Sequence, residues 1–218
     1  MNEEPINPQS IDIRSMSNKV NVLIAYNDDV SESSRQFFDD CATDIRNFCL
    51  EKGIEYQIIT PPQLVEQNLM ESVLNSQICY IASHGRPDGI ENENKNDIIS
   101  TKTTNYNLNG KALFAVSCYC AQTLKDELMR IGLKLFVGYK SKYTEFPGYD
   151  EFLTTANSGI KIFIEGASVS EMRVTMYKSY DECYDLLDSK SSIAADALLD
   201  NREGLIIEGF DQLHLSDL

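Results

Sequence analysis

The chain has 218 residues and a formal net charge of −15 at pH 7. That length supports one domain with a sizeable core, and the negative charge argues against direct nucleic-acid binding, which needs basic surface. No apolar run approaches bilayer-spanning length. The opening MNEEPINPQS is acidic and polar, unlike a secretory signal. Six cysteines without a C-x-x-C pair, with only two histidines, suit neither a disulfide framework nor a structural zinc site. The expectation is a cytoplasmic protein with reduced thiols, free of metal and cofactor, with no membrane or nucleic-acid contact. Its charge would draw basic partners.

Residues 1–17 read as a flexible polar tail, and 18–218 as a single domain. VNVLIAY (Val20–Tyr26) reads as a central strand. Phe38, Cys41, Ile45 and Phe48 then mark one face of a helix closed by Gly53. YQIIT (Tyr56–Thr60) is a second strand. Thr60-Pro61-Pro62-Gln63 has the form of a capping box, predicting a helix from there to about Asn75. QICYIAS (Gln77–Ser83) is a third strand, ending at His84-Gly85. From Arg86 to Asn109 the chain is polar and Asn-rich, and reads as a long excursion outside the core.

Ala112–Val116 is apolar at every position, as in a strand covered on both faces. Ser117-Cys118-Tyr119-Cys120 follows, and Ala121, Leu124, Leu128 and Ile131 then recur at helical spacing. A further strand, KLFVGYK (Lys134–Lys140), precedes a helix over Tyr149–Phe163. Ser168-Val169-Ser170-Glu171 is a capping box opening a helix through Met172, Met176, Cys183 and Leu187. A short helix around Ile193–Leu199 and a late strand, LIIEG (Leu205–Gly209), complete the chain. Strand alternating with helix predicts an α/β fold with a mostly parallel sheet of about six strands and helices on both faces.

Sites in such sheets form beyond the carboxyl ends of the strands. Here two consecutive strands end in chemically competent residues, His84 and Cys118. A thiol placed just before a helix N-terminus would feel the helix dipole, which favours the thiolate. Cys41, Cys49, Cys79 and Cys183 sit in apolar periodic patterns and read as buried thiols. With imidazole beside the thiol, and the backbone N–H groups of Gly85 and Cys118 as an oxyanion hole, the parts of an acyl-transfer enzyme are present. A receiver-like or nucleotide-binding domain is the competing α/β reading, with Asn27-Asp28-Asp29 as a cation cluster; His84 stands where its phosphorylatable Asp should be.

IASHG (Ile81–Gly85) and AVSCYCAQTL (Ala115–Leu124) resemble the caspase-like cysteine peptidases of clan CD, above all their bacterial CHAT branch. The order of KLFVGYK, the Phe152–Phe163 helix, Gly166, Ser168–Glu171 and LIIEGFDQLHL is similar too. The resemblance implies a caspase-haemoglobinase fold and a cysteine endopeptidase with Cys118 as nucleophile, His84 as proton carrier and Gly85 in the oxyanion hole. It also implies an acid in the S1 pocket, for which Asp150 is the nearest match with Glu145 behind it. Cleavage of a protein substrate after Arg or Lys would follow, though Asp150 reads equally as a plain helix N-terminal charge. The family connection suggests an activatable effector, held by a regulatory protein partner, in a prokaryotic anti-phage system. Lys95 and Lys102 in the Arg86–Asn109 loop would then suit self-processing.

This chain departs from the family pattern in reading Ser-Cys where CHAT proteins commonly read Ser-Ala-Cys. The alternative alignment puts Tyr119 at the nucleophile, which would make the protein an inactive caspase-like scaffold for protein binding. Cys120 is a third candidate, expected to face elsewhere.

Overall fold

Amphipathic helices alternate with short apolar strands from the first described residue onward. The computed structural model describes residues 20–30, 33–102 and 106–218; the tail expected over 1–17 lies outside them. In chain order the elements are β1 (Asn21–Tyr26), α1 (Arg35–Lys52), β2 (Glu55–Ile59), α2 (Glu66–Val73) and β3 (Ile78–Ala82). Next come β4 (His84–Arg86), β5 (Gly89–Glu91), β6 (Asp97–Ser100), β7 (Ala112–Val116), α3 (Thr123–Arg130) and β8 (Leu135–Tyr139). The chain then runs through α4 (Asp150–Ile164), α5 (Val169–Asp188), α6 (Ser192–Gly204) and β9 (Leu205–Gly209).

Six strands form the main sheet in the order β2-β1-β3-β7-β8-β9. β2 through β8 run parallel, and β9 closes one edge antiparallel to β8. The apolar runs follow from burial on both faces. Val22, Ile24, Tyr80, Phe114 and Val137 pack toward α1, α4, α5 and α6. Leu23, Ala25, Cys79, Ile81, Leu113 and Phe136 pack toward α2 and α3. The α/β class with a mostly parallel six-stranded sheet is therefore as the sequence implies. Among the described residues no helix is long and apolar enough to cross a membrane.

The Arg86–Asn109 stretch differs from expectation. Much of it folds into a three-stranded antiparallel sheet, β4-β5-β6, and Ile90, Ile98, Ile99 and Leu108 are fully buried against the α2–α3 side of the core. Those few apolar residues are spaced too widely to show a period, yet they supply the only apolar cover the hairpin needs. Arg86 locks the hairpin by pairing with Asp88, Glu91 and Asp97. Lys95 sits in the β5–β6 turn at φ 58, where the Asn92 side chain accepts from the Asn94 and Asn96 N–H groups.

One helix start also shifts. The Thr60 box does not cap a helix: residues 61–63 form a turn, closed by the Gln63 N–H donating to the Thr60 carbonyl, and α2 begins at Glu66. The second box does form, with Ser168 Oγ accepting from the Glu171 N–H and the Glu171 carboxylate accepting from the Ser168 N–H. One buried amide ties three elements together. Asn157 of α4 accepts from the Tyr80 hydroxyl on β3 at 2.7 Å, and donates to the Cys41 carbonyl and the Asp44 carboxylate on α1.

Candidate active site

The site follows from sheet register. Ala82 at the end of β3 pairs with Val116 at the end of β7, so His84 and Cys118 leave adjacent strands at the same height. Two serines fasten this junction. Ser117 Oγ donates to the Ser83 carbonyl at 2.6 Å, and Ser83 Oγ donates to the Glu91 carbonyl at 2.5 Å. Gly85 lies directly on the Cys118 backbone. A methyl group there would collide with the Cys118 carbonyl oxygen and stand 2.9 Å from Ser117 Cβ, so glycine is required by close approach.

His84 and Cys118, both half-buried, line one pocket of about 40 Å³ with Ser34, Phe38, Tyr143 and Glu145. It holds a few water-sized groups. The Phe38 ring meets the His84 imidazole edge-on at 5.4 Å between centroids. The Cys118 sulfur accepts from the Tyr143 N–H at 3.3 Å and lies 3.7 Å from the Tyr143 carbonyl. Burial raises the Cys118 thiol above its ordinary pKa, while the Tyr143 N–H and then the Lys142 charge pull it back.

The helix-dipole expectation fails here. Residues 119–122 form a turn, and α3 begins only at Thr123. The Ala121 N–H donates to the Tyr139 carbonyl and the Tyr119 N–H to the Ser141 carbonyl, so this turn is pinned to the exit of β8 instead of continuing as helix. A peptide N–H from the neighbouring strip takes the place of the dipole.

The three nucleophile candidates separate. Cys120 is fully buried, its sulfur donates to the Ser117 carbonyl, and burial pushes its thiol up to about 12. Tyr119, at φ 59, faces a different cavity of about 520 Å³ with Lys140, Lys142, Asp200 and Glu203. Cys118 alone of the three shares a pocket with His84.

No protein-family model matches the chain, and no curated protein matches it. The chemistry of the site therefore rests on its own geometry.

The pocket shares Phe37, which stacks on Tyr143 at 5.5 Å, and Glu145 with a larger cleft of about 610 Å³. Asp40, Asp44, Glu145 and Asp150 line that cleft, together with Phe146 and Tyr149, and among the described residues no Lys, Arg or His does. The structure thus brings Glu145 to the junction and Asp150, exposed at the first turn of α4, to the same cleft. Burial raises the Glu145 carboxyl above its ordinary value, a shift that a cation placed beside it would oppose. Asp44 is already paired with Lys161 at 2.7 Å. Asp40 and Asp44 were not foreseen, because nothing in α1 signals that its outer face meets the 145–150 segment. Cys41, Cys49, Cys79 and Cys183 are buried as free thiols. Among the described residues no three His, Cys, Asp or Glu side chains converge as a metal site.

Proposed function

We propose that the chain is a caspase-like cysteine endopeptidase that cleaves after Arg or Lys. One observation carries this reading: His84 and Cys118 line the same pocket at level ends of adjacent parallel strands. The Cys118 sulfur attacks a peptide carbonyl as His84 takes its proton, forming the S–C bond. The C–N bond then breaks, and His84 protonates the departing amine. Water, giving a proton to His84, attacks the thioester; the carboxylic acid leaves and the thiol is restored. The adjacent Gly85 and Cys118 peptides receive the oxyanion. Glu145, where the acidic cleft meets the pocket, reads the basic side chain, with the exposed Asp150 further along the same cleft.

The caspase-haemoglobinase fold and the role of activatable effector in a prokaryotic anti-phage system, restrained by a regulatory partner, rest on the resemblance of the His-Gly and Ser-Cys motifs. The small pocket and the burial-raised thiol favour a second reading, an inactive caspase-like scaffold that binds proteins. The two readings separate on full-length protein treated with peptidyl electrophiles carrying Arg, Lys, Leu or Asp next to the reactive carbon. Covalent labelling of Cys118 by the basic probes, lost in Cys118→Ala and His84→Ala, is the expected result. Absence of labelling across the pH range overturns the peptidase and leaves the scaffold.

A further inference from the structure

A buried asparagine in the last turn of a helix needs a reason, since the amide serves the helix poorly and is costly to bury without partners. Asn201 of α6 is fully buried. Its Oδ1 accepts from the Thr144 N–H at 2.9 Å, and its Nδ2 donates to the Thr144 carbonyl at 2.7 Å. The amide thus reads the Thr144 backbone as a neighbouring strand would. Thr144 follows Tyr143, whose N–H lies on the Cys118 sulfur. The strip from Lys140 to Thr144 is held to the end of α6 a second time: the Lys140 N–H donates to the Gly204 carbonyl at 2.8 Å, and a side chain at Gly204 would strike Ser141 Oγ. On its other side the strip accepts from the Tyr119 N–H. The Cys118 loop and α6 are therefore coupled through the five residues Lys140–Thr144.

We propose that Asn201 is a positioning residue for Cys118, clamping the Thr144 peptide so that the Tyr143 N–H stays on the sulfur. The inference relies on the peptidase reading only for taking Cys118 as the working thiol. His84, Glu145, Lys142 and Tyr143 face this thiol, with Cys120 in its own loop. Of these contributions, the Tyr143 hydrogen bond is the largest that favours the thiolate.

The test is the pH profile of Cys118 alkylation by iodoacetamide, followed by mass spectrometry on the full chain. The midpoint reports ionisation, whereas the limiting rate reports access. Asn201→Ala is expected to move the midpoint up by about one pH unit, a tenfold loss of thiolate at neutral pH. Asn201→Asp keeps the shape but loses the donor, and serves as the second variant where Asn201→Ala does not fold. Ser168→Ala, which removes the α5 cap remote from the thiol, controls for general destabilisation and should leave the profile in place. A midpoint unchanged in a folded Asn201 variant, or moved to lower pH, overturns the proposal. Because no peptide substrate enters the assay, a failed clamp is distinguishable from a failed peptidase.

Discussion

Two cavities flank the Cys118 loop, and they differ in charge. The 610 Å³ cleft between α1 and the 145–150 segment is lined by four carboxylates and, among the described residues, by no cation. The 520 Å³ cavity beyond Tyr119 sets Lys140 and Lys142 against Asp200 and Glu203. The first has a net field to offer a ligand; the second is internally balanced. Only the first shares residues with the His84–Cys118 pocket. On the proposed reading, a basic side chain would reach the sulfur from the first, and the negative charge of the whole chain would add long-range steering.

The severest way to break this comparison is at the sulfur. Cys118→Ala should lower hydrolysis of a Lys- or Arg-containing reporter peptide by at least about a thousandfold. Tyr119→Phe, on the balanced side, should stay within about twofold; a reversed order would move the nucleophile to the wrong cavity. Next in size is Gly85→Ala. The added methyl meets backbone instead of a flexible side chain, so a loss of about 1–3 kcal/mol in chemical denaturation is expected, together with loss of Cys118 labelling.

Charge removal sharpens the contrast between the two cavities. Glu145→Gln with Asp150→Asn should reduce kcat/KM for basic substrates about tenfold, mainly through KM. Asp200→Asn with Glu203→Gln should leave it unchanged. Equal effects from both pairs, measured at low and high salt, would point to the general field and not to the cleft. In the wild-type protein, burial holds Cys118 as a thiol at neutral pH. Its alkylation rate should therefore keep rising past the ordinary thiol value of 9.0; a plateau near neutrality would contradict this. Smallest is Ser168→Ala, about 1 kcal/mol in unfolding free energy, with reporter hydrolysis unaltered.

The strands were legible because burial on both faces leaves an uninterrupted apolar run, as in Ala112–Val116. The placement of His84 and Cys118 at neighbouring strand ends was legible because sequential strands tend to be neighbours, and β3 does lie beside β7. What escaped depends on contacts between residues far apart in sequence. Asp40 and Asp44 face the cleft only because Asn157 and Lys161 draw α1 against α4. Asn201 looks like any helix polar residue until Thr144 is laid beside it. The β4–β6 sheet escaped because three short polar strands carry too few apolar residues to show alternation. The Thr60 box misled because its residues also suit the turn that the chain makes there.

Asn157 has a consequence for how readily this protein can change what it recognises. By bonding Tyr80, the Cys41 carbonyl and Asp44 at once, it makes the carboxylate-bearing wall an outgrowth of a rigid base. Asp40 and Asp150 project from that base into solvent. Their exchange for neutral or basic residues disturbs no buried bond, so the charge of this wall can change by surface substitution while the His84–Cys118 junction keeps its geometry. On the proposed peptidase reading, a lineage built on this scaffold would carry its selectivity and its chemistry on separately mutable parts.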